Sequence, residues 1–208
     1  MRPDWDPITN LPFIFATKTR DIQGYNIDRI KIITSMSTLL RTQAKAMLSG
    51  RVSPVIIDEA DSAYIAPQTR SEKGISMKTY IYVERHFDTK GPLMIYHRGK
   101  DIPTELRNED VSHGVFEIAW YINRKRNIRK RVVSNPTKWS YRDNTSYFPI
   151  PLTMIPYHNQ GFGSFWIDVD MQWINQRLNG TQEDVARQLP EILDEWEKSP
   201  EAKKFRGV

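Results

Sequence analysis

The 208-residue chain contains no cysteine. This excludes disulfide bridges, thiol nucleophiles and metal sites built on cysteine thiolates, and it agrees with a reducing compartment. The four histidines show no paired spacing of the His-x-x-x-His kind, so a histidine-based zinc site is not expected either; they are His86, His97, His113 and His158. We therefore predict neither a bound metal nor a cofactor.

The chain also lacks long apolar runs. No stretch reaches the length of a membrane span, and residues 1–7 show no basic region followed by an apolar segment. We expect no membrane span and no secretion by a signal peptide. The composition, 39% hydrophobic and 11% aromatic, indicates a folded chain rather than a disordered one, because it supplies enough apolar surface for a core.

Two familiar catalytic signatures are missing. There is no Gly-x-Ser-x-Gly elbow for a serine nucleophile. Residues 54–61, Pro-Val-Ile-Ile-Asp-Glu-Ala-Asp, resemble the strand-plus-carboxylate motif of DEAD-box helicases, and this resemblance implies acids that hold magnesium and activate water. Such a site also needs a glycine-rich phosphate loop ending in Gly-Lys-Ser/Thr, which the chain lacks; Gly99 and Lys100 are followed by Asp101. The favoured interpretation is an apolar strand leading into an acidic turn.

Other acidic residues allow a metal-dependent enzyme as a third option. Residues 165–171 resemble the first metal-binding motif of archaeo-eukaryotic primases, in which Asp168 and Asp170 would share a divalent cation. The later histidine motif of that family has no counterpart, because no histidine follows Asp170. A nuclease combining Asp58 with Glu84 would lack the usual nearby lysine. An alternating strand with a wet acidic face explains residues 165–171 better.

Positive charge is concentrated in one short stretch. The chain has 30 Lys and Arg residues against 25 Asp and Glu, and residues 124–131 carry six of the positive charges. The remainder is therefore nearly neutral, at 24 against 25. Such concentration, directly after a predicted strand, indicates a basic hairpin around residues 115–134 that meets an acidic partner. The predicted binding residues are Arg124, Lys125, Arg126, Arg129, Lys130 and Arg131.

Hydrophobic spacing predicts the other elements. Residues 1–26, with Pro3, Pro7 and Pro12, read as an extended arm that clasps a neighbour or lies across its own domain. Three- and four-residue apolar spacing predicts an amphipathic helix over residues 28–48, ended by Gly50. Period-two alternation predicts strands over four segments, 79–87, 93–97, 115–122 and 165–173, and two prolines make 147–155 an edge strand.

A second helix is predicted at the C-terminal end. Thr181 can cap it, with Asp184 three residues on, Pro190 should kink or split it, and it should end near Ser199. Between Glu183 and Glu197 the helix has one basic residue, Arg187. It carries six acids that could meet the basic hairpin of another subunit: Glu183, Asp184, Glu191, Asp194, Glu195 and Glu197.

Together these patterns predict an α+β fold with a mostly antiparallel sheet. The sheet is accompanied by a long amphipathic helix in the N-terminal half, a basic β-hairpin, and an acidic C-terminal helix over residues 181–199. After the arm of residues 1–26, residues 27–208 are expected to form a single domain.

Opposite-signed patches, an arm and missing catalytic motifs favour a non-enzymatic structural subunit. The expected setting is a bacteriophage or viral particle, as a tail, neck or matrix-type protein located in the virion or the host cytoplasm. Its partners would be copies of itself and other structural proteins. The alternative is a nucleic-acid-binding module that uses the same basic hairpin, with nearby aromatic residues stacking on bases. The metal-dependent nuclease or nucleotidyl-transfer enzyme is the third option.

Overall fold

The structure is a computed structural model. It describes residues 5–10, 31–60, 63–64, 68, 70–87, 92–96, 101–107, 116–122, 128–134, 146–148 and 165–207. The chain divides into two compact units, where the sequence predicts one domain after an arm. Unit 1 comprises Met1–Asp101 and Asn159–Val208, and unit 2 comprises Ile102–His158.

Unit 1 contains a four-stranded sheet in which every pairing is parallel. The strands are β1 (Ile8–Thr9), β2 (Lys31–Ile32), β3 (Val55–Ile57) and β4 (Leu93–Met94), in the order β2-β1-β3-β4. The strand predicted over residues 93–97 is thus present, though it is shorter. Helices accompany this sheet, so the class is α+β.

The predicted mostly antiparallel sheet is wrong. The strands of unit 1 are only two or three residues long, too short to show the alternation on which the prediction rests. Val55-Ile56-Ile57 is a continuous apolar run, which is typical of a parallel strand covered on both faces. Its parallel partners come from distant parts of the chain.

Residues 5–10 lie in the middle of this sheet, where the sequence predicts an arm. Ile8 is completely buried, and its N–H donates to the carbonyl of Pro54 at 2.8 Å, while Lys31 N–H donates to Pro7 at 2.8 Å. Residues 5–10 therefore contain β1, an inner strand of unit 1. The other parts of the predicted arm, residues 1–4 and 11–26, lie outside the described residues.

Helix α1 (Met36–Leu48) begins later than the predicted residue 28, because β2 occupies part of that segment. Ser35 caps it by accepting from Thr38 N–H. The predicted end is confirmed: Gly50 follows the helix with φ of 65°, a left-handed conformation that glycine adopts readily.

Helix α2 (Glu72–Val83) and the 3₁₀ turn Glu84–Phe87 replace the strand predicted over residues 79–87. The prediction is wrong because it places Tyr80 on the polar side. Tyr80 is fully buried, and its hydroxyl accepts from Gln43 Nε2 at 3.1 Å. With Tyr80 counted as core, Met77, Tyr80 and Val83 recur every three residues, which is helical spacing.

The described part of unit 1 has three further helices: α3 (Met171–Asn175), α4 (Gln182–Lys198) and α5 (Pro200–Arg206). The strand predicted over residues 165–173 is wrong: Trp166 forms one isolated bridge with Ser35, and α3 begins at Met171. In α4 the predicted cap is confirmed, because Thr181 and Asp184 exchange hydrogen bonds as a capping box. The helix continues through Pro190, so the predicted split does not occur.

The core of unit 1 lies largely between helices. Helix α1 packs against α4, and α2 packs against α3. Leu39 and Leu40 of α1 and Leu189 and Leu193 of α4 are fully buried, and Trp196 of α4 is 1% exposed. Among the helices that the structure describes, none is both long and apolar enough to cross a membrane.

Unit 2 contains an antiparallel three-stranded sheet. Its strands are β5 (Phe116–Ile122), β6 (Ile128–Ser134) and β7 (Ser146–Phe148), in the order β5-β6-β7. Ile122 pairs with Ile128, so residues 123–127 connect β5 to β6 and lie outside the described residues. Strand β7 is at the edge of this sheet; the rest of the predicted edge strand, residues 149–155, is not described.

Candidate functional site

The carboxyl ends of the parallel strands lie together along one border of the sheet in unit 1, the carboxyl edge. From β1 the chain goes on to β2 on one side, whereas from β3 it goes on to β4 on the other side. The connections therefore diverge between β1 and β3. In open parallel sheets ligands bind in the crevice at such a divergence, outside the carboxyl ends of the strands. Asn10 follows β1 at this point and Asp58 follows β3.

The Asn10 side chain fixes the backbone of Asp58. Its Nδ2 donates to the Asp58 carbonyl at 2.9 Å, and its Oδ1 accepts from Asp58 N–H at 2.8 Å. Asn10 is 2% exposed, so these bonds form in a dry environment where they are strong. The carboxyl end of β3 is thereby held in one position. The sequence did not reveal this role, because it depends on β1 and β3 being neighbours.

Glu59 has a left-handed backbone, with φ of 50°, the one such non-glycine residue among those described. This conformation costs a residue with a side chain about 1–2 kcal/mol, and such strain is concentrated at functional sites. After Glu59 the chain turns sharply: Ala60 N–H donates to the Ile95 carbonyl at 2.9 Å, and Tyr64 N–H to the Ala60 carbonyl at 2.8 Å. The turn places two adjacent acids, Asp58 and Glu59, directly at the sheet edge.

Both acids are half-buried. Within the described ranges, no group of three or more His, Cys, Asp or Glu side chains is placed to hold a metal ion. A protein cage for a metal is therefore not seen there. Magnesium in phosphate-binding sites has fewer protein ligands: one or two carboxylates hold it, and water and phosphate oxygens complete its coordination shell. The pair Asp58 and Glu59 suits that arrangement.

Asp168 and Asp170 have separate structural contacts. The Asp168 carboxylate accepts from Ser37 N–H at 2.9 Å and from the Ser37 hydroxyl at 2.5 Å, at the first turn of α1. Asp170 caps α3 by accepting from Gln172 N–H at 2.9 Å. Each carboxylate thus satisfies the free N–H groups at the start of a different helix. Helix capping accounts for both acids.

Glu84, the other acid considered with Asp58, lies in the 3₁₀ turn after α2. This turn contacts α1 and α4, so Glu84 belongs to the helical part of unit 1. Burial raises the pKa of its carboxyl group to about 8. Burial, and then the charge of Glu84, also raise the pKa of Tyr80.

Four of the six acids on α4 have partners within unit 1. Arg41 on α1 donates to Asp194 at 2.6 Å and to Glu197 at 3.1 Å, and Glu183 pairs with Arg187 one turn along. Asp184 belongs to the capping box, where hydrogen bonds from the side chain and then the backbone of Thr181 lower the pKa of its carboxyl group. Glu191 and Glu195 are exposed. An acidic docking surface on α4 remains a prediction, and these two acids are the ones left to form it.

The basic residues fall in unit 2. Arg129, Lys130 and Arg131 lie in β6, where they pair with Tyr121, Trp120 and Ala119 of β5. The other three, Arg124, Lys125 and Arg126, lie outside the described residues.

Comparison of the chain with protein-family models, with curated proteins and with solved structures finds no match in any of the three.

Proposed function

We propose that unit 1 binds a magnesium-bound nucleotide at the carboxyl edge of its parallel sheet. Asp58 would hold the magnesium ion, and Glu59 would orient a water molecule toward the phosphate. One observation carries the proposal: the Asp58 and Glu59 pair follows β3, an inner parallel strand, where the chain connections diverge.

The parallel sheet changes the order of the hypotheses. The resemblance of residues 54–61 to the strand-plus-carboxylate motif of DEAD-box helicases covers eight residues, and alone it is weak. In an antiparallel fold, these acids would lie in an ordinary turn between strands. At the carboxyl end of an inner parallel strand, with Glu59 strained and Asp58 fixed by Asn10, they have the position that such a site requires. We therefore favour nucleotide binding at this site over the function of a non-enzymatic structural subunit.

The phosphate loop is the missing part. None of the 208 residues forms a Gly-Lys-Ser/Thr loop, so other groups must hold the phosphates. We therefore propose nucleotide binding by this chain, and expect hydrolysis only where a phosphate-binding loop is supplied to the same edge. Without that loop we expect affinity in the roughly millimolar range, near 4 kcal/mol of binding free energy.

The variant Asp58→Asn tests the proposal. It keeps the size of the side chain but removes the charge that would hold magnesium, so we expect the magnesium-dependent part of ATP binding to disappear. The measurement is an NMR titration of the protein with ATP, with and without magnesium. The matched control is Glu195→Gln, which removes one exposed acid on α4 and should leave binding unchanged. If the wild-type protein binds ATP equally well without magnesium, or not at all, the proposal fails.

The second candidate function, which the sequence favours, is that of a structural subunit in a larger assembly. We propose that the chain would bind its partners through unit 2. The observation in its favour is the antiparallel pair β5 and β6, because the six basic residues from Arg124 to Arg131 fall within its connection and in β6. These six charges lie within eight consecutive residues, and such a concentration attracts an acidic partner. The partner would be a second copy or another structural protein. Nucleic acid is the alternative partner.

Charge reversal of Arg129, Lys130 and Arg131 to glutamate distinguishes these partners. We expect the triple variant to lose its assembled state, measured as mass by light scattering after size exclusion. Reversal of Lys45, Lys73 and Lys203, which are exposed lysines of unit 1, is the control. Unchanged mass together with lost, salt-dependent binding to nucleic acid would favour the nucleic-acid-binding module. No change in either property would contradict both partners.

A further inference from the structure

Trp166 is the most exposed large hydrophobic side chain among the described residues, with 64% of its surface accessible. Its neighbours in sequence, Phe165 and Ile167, are buried at 3% and 4%. Its backbone is fixed, because Trp166 N–H donates to the Thr34 carbonyl at 2.8 Å and Trp166 O accepts from Met36 N–H at 2.9 Å. A rigid backbone thus presents a large aromatic ring to solvent.

The strand register places Trp166 at the same edge as the two acids. Thr9 of β1 pairs with Ile32 of β2 and with Ile56 of β3, so these three residues are level. Ser35 lies three residues beyond Ile32 and forms a parallel bridge with Trp166, and Asp58 lies two residues beyond Ile56. Trp166 therefore lies beyond the carboxyl ends of the strands, as Asp58 and Glu59 do.

The lateral separation follows from the order of the segments. Thr34 and Met36 bond to Trp166 on the side of their segment opposite to β1, since the neighbouring Lys31 and Ile33 donate to β1. The segment of Trp166 thus lies next to β2, and β2, β1 and β3 follow in order. Three strand spacings separate it from β3, about 14 Å. An extended nucleoside triphosphate can span this separation.

We infer that Trp166 stacks on the base of a nucleotide whose magnesium-bound phosphates lie at Asp58 and Glu59. This inference rests on the proposed function and extends it from a phosphate ligand to one with an aromatic base. A tryptophan face is a suitable platform, because stacking needs only a planar ring and every nucleobase has one. The sequence suggested no such role for Trp166, which it places in a strand.

Comparison of two ligands tests the inference. ATP has both a base and phosphates, whereas inorganic tripolyphosphate has phosphates alone. In NMR titrations with magnesium, Trp166→Ala should weaken ATP binding about 5- to 100-fold and leave tripolyphosphate binding unchanged. The control Tyr82→Ala removes an aromatic side chain that is 48% exposed on α2 and should change neither affinity.

The other outcomes separate the two proposals. If Asp58→Asn weakens binding of both ligands but Trp166→Ala affects both equally or neither, base stacking is overturned and the phosphate site stands. If the wild-type protein binds neither ligand, both proposals are overturned.

Discussion

The Trp196→Ala variant is expected to lose about 3–5 kcal/mol of unfolding free energy. Trp196 is 1% exposed and lies on α4, which packs against α1. Its ring contacts those of Trp173 and Phe205, with centroid distances of 5.3 and 5.7 Å, and its Nε1 donates to the Asp168 carbonyl at 3.0 Å. Truncation removes these contacts, leaves a cavity, and deprives a carbonyl of its donor.

Urea unfolding followed by circular dichroism measures this loss. Trp166→Ala is the matched control, since it removes the same side chain from an exposed position and should change the free energy by less than about 0.5 kcal/mol. Equal losses in the two variants would contradict the placement of Trp196 in the core.

Asp168→Ala should have the second largest effect, a loss of about 2–3 kcal/mol of unfolding free energy. Its carboxylate accepts two hydrogen bonds from Ser37, so the variant frees an N–H at the start of α1 and leaves the hydroxyl of Ser37 without its acceptor. The charge also interacts favourably with the N-terminal end of the helix. Asp168→Asn should lose less, because the amide oxygen can still accept one of these bonds.

Asp170→Ala is the comparison for this prediction. It removes the cap of α3, a helix of only five residues, and should cost about 1 kcal/mol. Thermal unfolding of the wild type and both variants, with and without magnesium, is the measurement. If magnesium stabilised the wild type but neither variant, the two acids would share a cation, and capping would not explain them.

Local patterns were predicted where local interactions decide the structure. The capping box at Thr181 and the left-handed Gly50 were both predictable, because each depends on residues within one turn of a helix. Helix α2 was missed because the local sequence does not show that Tyr80 is buried. A tyrosine is compatible with a core or a surface, and only the contact of Tyr80 with Gln43 on another helix shows which applies.

The candidate site was less accessible to prediction. Asp58 and Glu59 were recognised as an acidic turn after a strand, but the importance of that turn depends on the neighbours of β3. Asn10 and Trp166 are separated from Asp58 by 48 and 108 positions, and nothing in their local sequence indicates that they share an edge with it. The parallel pairing of β1, β2 and β3, which are far apart in sequence, brings such distant segments together.

The sequence by itself determined the absence of cysteine chemistry, the concentration of charge at residues 124–131, and the positions of α4 and the end of α1, since composition, caps and helical spacing are properties of short segments. Only the tertiary structure decided that the sheet of unit 1 is parallel, that Asp168 and Asp170 cap helices, and that Arg41 engages two acids of α4. These features depend on contacts between distant residues. Such contacts arise when the whole unit buries its apolar surface, and no local pattern encodes them.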